Sequence, residues 1–169
     1  MKIIENSKVK EKLYIEKLEN GLTIMIMPKK GIQKKYVMWA TNYGSIDNKF
    51  IVPGETEVTE VPEGIAHYLE HKMFELPGRD VSAEFAALGA NVNAFTGYDM
   101  TAYYFSCTEN FDKSLQLLLE FVSTPYFPAE SVIREQGIID QEIGMYLDSP
   151  ESRCFDRLME AMYRRHPIR

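Results

Sequence analysis

Apolar residues along this chain follow two rhythms, a period of two and a period of three to four, and the change between them separates strand from helix. Leu13 to Leu18 and Leu22 to Met27 are short apolar-rich runs joined by Glu19-Asn20-Gly21, a hairpin signal, with Pro28 closing the second. Lys35 to Thr41 (Lys-Tyr-Val-Met-Trp-Ala-Thr) reads as a third strand. From Gly44 to Val61 the punctuation of Gly44, Pro53 and Gly54 predicts a loop. Asn91 to Phe95 and Thr101 to Cys107 predict two further strands about the turn Thr96-Gly97-Tyr98-Asp99. In the second of these, Thr101, Tyr103, Phe105 and Cys107 alternate with Ala102, Tyr104 and Ser106.

The helical rhythm starts at Pro62, placed as a first-turn proline, and Ile65, Leu69 and Met73 recur at helical spacing as the row expected to face the core. His67, Glu70, His71 and Phe74 lie on the neighbouring face, and Pro77-Gly78 ends the segment. Asp80 can cap a short helix through Leu88, stopped by Gly89. Three helices follow. Phe111, Leu115, Leu118 and Val122 mark the first, which Pro125 ends; Pro128 opens the second, running to about Leu147. Ser149-Pro150 starts the third, with Phe155, Leu158, Met159 and Met162 as its apolar stripe. Strands and helices in this order predict an α+β fold, an antiparallel sheet layered against several helices.

Composition narrows the picture only a little. A length of 169 residues predicts one domain, able to bury roughly 70% of the surface of its unfolded chain. A net charge of -6 argues against a nucleic-acid partner, and Lys29, Lys30, Lys34 and Lys35 read as a solvated turn between strands. Cys107 and Cys154 carry no paired-cysteine signature and are expected as buried thiols in a reducing compartment. No signal-peptide core and no run of membrane-spanning length is present, so the expected location is cytoplasmic, with no membrane partner.

The chemistry is concentrated in Gly64-Ile-Ala-His-Tyr-Leu-Glu-His-Lys-Met-Phe74. On a helix, His67 and His71 stand one turn apart, separated by roughly 6 Å along the axis and about 40° around it. Two nitrogen donors so placed can grip one small cation, and zinc is the usual occupant of such a pair. Glu70 falls on the flank of the same face, within reach of a metal-bound water without being a ligand. The order His-x-x-Glu-His inverts the more familiar His-Glu-x-x-His of zinc peptidases. A single histidine is more often an ordinary core or surface residue, but this exact spacing uses two of the chain's three histidines.

A catalytic zinc site wants a third protein ligand and an open position. His166 is a nitrogen candidate, placed unfavourably beside Pro167 near the end of the chain. Glu135 and Glu142 are seven residues apart on the long helix and share a face. Exposed glutamate pairs usually form only a solvated surface. Ile138, Ile139 and Ile143 around them argue instead for carboxylates among buried isoleucines, which would need a metal or an imidazole N–H as partner.

At this point the chain resembles the pitrilysin-type, or inverted-zincin, zinc metallopeptidases, and by Tyr43-Gly-Ser-Ile-Asp47 their bacterial processing-protease branch. The resemblance rests on Gly64 to His71 with Met73-Phe74, on Asn91-Val-Asn-Ala-Phe-Thr96 followed by Thr101 and Tyr103, and on Arg134-Glu135 leading to Gln141-Glu142-Ile143. It implies zinc as cofactor, with His67, His71 and Glu142 as ligands, Glu70 as general base and Glu135 as an outer carboxylate steadying a ligand. It also implies that Asn93, Ala94 and Phe95 receive an extended peptide substrate as an added strand. Members of this family usually carry two related halves, so residues 1–169 are expected to be a single, N-terminal zinc-binding peptidase domain of a longer endopeptidase. Its partner would be a homologous second half or subunit, and an unpaired sheet edge leaves homo-oligomers open. The alternative of another class is a catalytically silent zinc- or peptide-binding module, or an assembly partner.

Overall fold

The computed structural model describes residues 1–169 and divides into two compact units, Met1–Lys34 and Lys35–Arg169. The first unit is a three-stranded antiparallel sheet, β1 (Lys2–Asn6), β2 (Glu11–Lys17) and β3 (Thr23–Ile26), in the order β1-β2-β3. Its β2–β3 hairpin closes as predicted, with Leu18 N–H donating to Leu22 O at 2.8 Å. Strand β1 was not expected from its sequence.

The second unit is built on another three-stranded antiparallel sheet. Strands β4 (Lys35–Thr41), β9 (Asn91–Thr96) and β10 (Thr101–Cys107) pair in the order β4-β10-β9, so β10 is central and β9 an edge. Helices α1 (Ile65–Lys72), α2 (Val81–Ala87) and α3 (Phe111–Ser123) pack on this sheet; α4 (Ala129–Asp148) packs on α1, and α5 (Pro150–Met162) on α4. The result is the expected α+β arrangement of an antiparallel sheet layered with helices.

Burial of large apolar side chains explains why this layer holds. Phe85, Phe105, Leu118 and Phe121 are fully buried, and Phe121 meets the rings of Phe74, Phe85 and Tyr103. Each such ring contributes about 1.5–3 kcal/mol by leaving water. Helix α2 starts where expected, the Asp80 carboxylate accepting from Ala83 N–H at 3.2 Å. Ser149 caps α5 in the same manner, accepting from Ser152 N–H at 3.3 Å.

Several expectations need correction. The stretch from Gly44 to Val61 contains a hairpin, β5 (Lys49–Ile51) with β6 (Val58–Glu60), too short for any apolar period to register. Pro62 lies ahead of α1 rather than in its first turn; Gly64, at φ 81°, occupies the N-cap. A left-handed cap favours glycine because it has no Cβ to clash. The helix ends at Lys72, and Pro77-Gly78 instead turns the hairpin of β7 (Glu75–Leu76) and β8 (Arg79–Asp80). The row of α1 expected to face the core is only half-buried at Ile65, Leu69 and Met73; Ala66, Glu70 and Lys72 are the buried residues.

The remaining corrections concern exposure. Ile138 and Ile143 are 48% and 51% exposed, so Glu135 and Glu142 do not sit among buried isoleucines. None of α5 is buried, its apolar stripe included, because α4 covers too little of it. Cys107 is buried as expected, but Cys154 on α5 is exposed. No helix is long and apolar enough to cross a membrane.

Candidate metal centre

Helix α1 brings the two histidines together as their spacing requires. The rings of His67 and His71 lie 4.7 Å apart, centroid to centroid, and nearly perpendicular at 81°. Helix α4 packs against α1. It delivers Glu142, whose Oε2 stands 3.6 Å from His67 Nε2 and 3.5 Å from His71 Nε2. Among all the histidines, cysteines and acids of the chain, these three side chains form the group whose ligand atoms lie within 4.8 Å of one another. His166 is not part of it; its Nδ1 accepts from Ile168 N–H at 3.2 Å near the chain end.

Glu135, two turns earlier on the same face of α4, stands 2.9 Å from His71 Nδ1. An ionised carboxylate only accepts hydrogen bonds, so a neutral His71 ring would carry its proton on Nδ1 and turn the Nε2 lone pair toward Glu142. A lone pair and a carboxylate facing each other at 3.5 Å repel unless a cation lies between them. That distance is also too long for an N–H···O bond. It is close to the ~3.3–3.4 Å edge of a tetrahedron with ~2.0–2.1 Å bonds to nitrogen and oxygen. The residues present therefore fit a zinc ion, in both the chemistry and the spacing of the donors.

Glu70, which lines the same cleft as the pair, is buried, 8% exposed. Its Oε2 accepts from Thr96 Oγ1 at 3.0 Å, which ties the middle of α1 to the end of β9. Thr101, across the hairpin, donates its hydroxyl to Tyr43 O at 2.8 Å. Burial, and then the charge of Glu70, push the Tyr103 phenol well above its ordinary range, so it stays a neutral neighbour.

Edge strand β9 forms one wall of the site. A cleft of about 710 Å³ is lined by the two histidines and the Glu70 and Glu142 carboxylates, and by Asn93, Ala94 and Phe95. Tyr98 and Tyr146 also line it and were not expected from the sequence, since an aromatic in a turn or on a helix carries no signal of its own. The turn bearing Tyr98 is fixed by a close approach at Gly44, where a Cβ would sit 2.4 Å from Tyr98 O. Ser45 and Ile46 N–H groups donate to Gly97 and Tyr98 carbonyls at 3.0 Å each. At Ala94 the backbone N–H is covered by Asn93 Oδ1 at 2.8 Å rather than by a neighbouring strand.

Two imidazoles and a carboxylate around one point, with a further carboxylate alongside and an open strand edge, are the groups that a metal-dependent peptidase brings together. The comparisons agree. The model of the Insulinase (Peptidase family M16) family matches residues 51–169, and the chain belongs to that family. It is 48% identical over 169 residues to a Bacillus subtilis (strain 168) protein named "Uncharacterized zinc protease YmfH", covering 100% of this chain and 40% of that one. Among solved structures, it superposes on an M16-like peptidase from Alicyclobacillus acidocaldarius with a TM-score of 0.88 and 45% identity, over 98% of this chain and 38% of that one. A protease from Helicobacter pylori matches with a TM-score of 0.78 and 26% identity, over 94% of this chain and 37% of that one. The chain thus spans about two fifths of the length of these relatives.

Proposed function

We propose that the chain carries the zinc site of an endopeptidase that hydrolyses extended peptides or unfolded segments. The observation that carries this reading is the convergence of His67, His71 and Glu142, with the far nitrogen of His71 bonded to Glu135. Outer carboxylates of this kind fix the tautomer and orientation of a ligating ring. Relatives named as zinc proteases support the choice of metal.

Zinc bound here would polarise the scissile carbonyl and lower the pKa of water to about 7. The chain's own residues do the rest. Glu70 accepts a hydrogen bond from the Thr96 hydroxyl on one oxygen, which orients the carboxylate. As water adds to the carbonyl carbon, Glu70 takes its proton and then passes it to the departing amine as the C–N bond breaks. The β9 edge holds the peptide backbone, and a substrate strand would displace the Asn93 amide from the Ala94 N–H. Backbone pairing of this sort is tolerant of sequence, which suits unfolded chains. Two unpaired cysteines accord with a cytoplasmic location.

The chain's two-fifths share of its relatives supports a second reading for the chain taken alone. It would bind zinc and peptide without turnover until joined by a homologous second half or subunit. A fluorogenic peptide assay, run with and without a chelator, separates the two. Cleavage that a chelator stops, and that Glu70→Gln lowers by about 10²–10⁴-fold with zinc still bound, supports the endopeptidase. Zinc and peptide binding without cleavage supports the silent module. Chelator-resistant cleavage, or full activity in Glu70→Gln, excludes the proposed mechanism.

A further inference from the structure

We propose that Lys72 is a positioning residue for the metal centre: its buried ammonium, held between Glu75 and Ser131, fixes α4 against α1 so that Glu142 reaches both histidines. The inference rests on the zinc reading above.

Lys72 directly follows His71, and its side chain is fully excluded from solvent. A lysine at that depth is rare, because the ammonium gives up its hydration. It bonds to the Glu75 carboxylate on β7 and, at 2.6 Å, to Ser131 Oγ in the first turn of α4. The Ser131 hydroxyl donates in turn to Pro128 O at 3.1 Å, which leaves its lone pair for the lysine. An apolar side chain of the same volume would often be no less stabilising, so stability alone gives no reason for a buried cation. Geometry gives one. Apolar contacts between helices tolerate rotation and slip, whereas an ammonium must keep both of its acceptors.

The acceptor on α4 lies on the stripe that matters. Ser131, Glu135 and Glu142 fall within about 40° of one another around the helix. A rotation of α4 by about 20° would carry a carboxylate ~6 Å from the axis through roughly 2 Å, several times the ~0.5 Å tolerance of a preorganised site. Helix α1, eight residues long, presents two pins to α4 besides the His71–Glu135 bond. They are Tyr68 Oη donating to Val132 O at 2.9 Å and the Lys72 clamp one turn further on. Both grip the first turn of α4, about 16 Å from Glu142 along the helix, where a rigid rod transmits their hold.

The test measures zinc affinity of the metal-free protein by competition with a chromogenic chelator, alongside its thermal midpoint. Lys72→Met and Ser131→Ala are each made alone and together with Glu142→Gln. Acting through Glu142, each should weaken zinc binding about 10–100-fold in the otherwise native protein and less than about twofold in the Glu142→Gln background. Unchanged affinity in the single variants, or an equal loss in both backgrounds, overturns the inference, since a merely structural pair would lower the midpoint without such coupling. Should Lys72→Met fail to fold, Ser131→Ala makes the same comparison with the lysine in place. A native protein that takes up no zinc at all overturns the zinc reading itself, a result distinct from the loss of coupling.

Discussion

Helix α1 has eight residues and buries a glutamate and a lysine; helix α5 has thirteen, a cleaner apolar stripe, and buries nothing. Periodicity predicts both helices, but burial depends on what meets them. Helix α1 lies between the β4-β10-β9 sheet and α4, so even its polar residues are enclosed, and each has a partner: Thr96 for Glu70, Glu75 and Ser131 for Lys72. Helix α5 rests on α4, with Phe155 stacked on Tyr98 at 6.3 Å, while Leu158 remains 50% exposed. Chemistry sits where polar groups are forced inside and paired, because pairing there gives fixed geometry.

The contrast can be tested in order of expected effect. Phe121→Ala removes the ring on which Phe74, just beyond α1, stacks at 5.2 Å, and should cost about 3–5 kcal/mol in urea unfolding. A loss below about 1 kcal/mol would mean that the layer supporting α1 is not packed as described. Glu135→Gln should weaken zinc binding by about 10–100-fold with little change in unfolding, measured by chelator competition. Equal affinity would show that the His71 ring needs no outer carboxylate.

A third effect appears only in acid. The Lys72 ammonium bonded to it holds the Glu75 carboxyl below its ordinary value of 4.5. The depressed carboxyl favours the folded state fully above about pH 4.5, and this contribution is lost as pH falls through the lower folded value. Urea midpoints of the native protein should therefore fall more steeply below that pH than those of Glu75→Gln; parallel curves would contradict the pairing. Smallest of all, Leu158→Ala on α5 should stay within about 0.5 kcal/mol of the native protein. A large loss there would erase the distinction between the two helices.

Legibility in the sequence followed the range of the interactions. The His67–His71 pair and the strand holding Asn93, Ala94 and Phe95 are local patterns, a one-turn spacing and an alternation, and both stand where expected. Glu135 and Glu142 were expected to share a face of α4, partly through a mistaken premise, since Ile138 and Ile143 are exposed; that Glu142 is the ligand was implied only by the family resemblance. What brings it to the site is the packing of α4 against α1, which no local pattern encodes. The Lys72–Ser131 bond links residues 59 positions apart and was invisible for that reason. Strands β5 and β6, three residues each, were too short to show a period.

The central claim is that one zinc ion sits between His67, His71 and Glu142. It is tested most directly by titrating zinc into metal-free protein, native and His71→Ala, with bound metal counted by elemental analysis after buffer exchange. The account predicts one zinc per native chain. In His71→Ala it predicts an affinity at least about 100-fold weaker, because one of the three protein ligands is lost. Retention of one zinc by His71→Ala at native affinity, or none by the native chain, would contradict it.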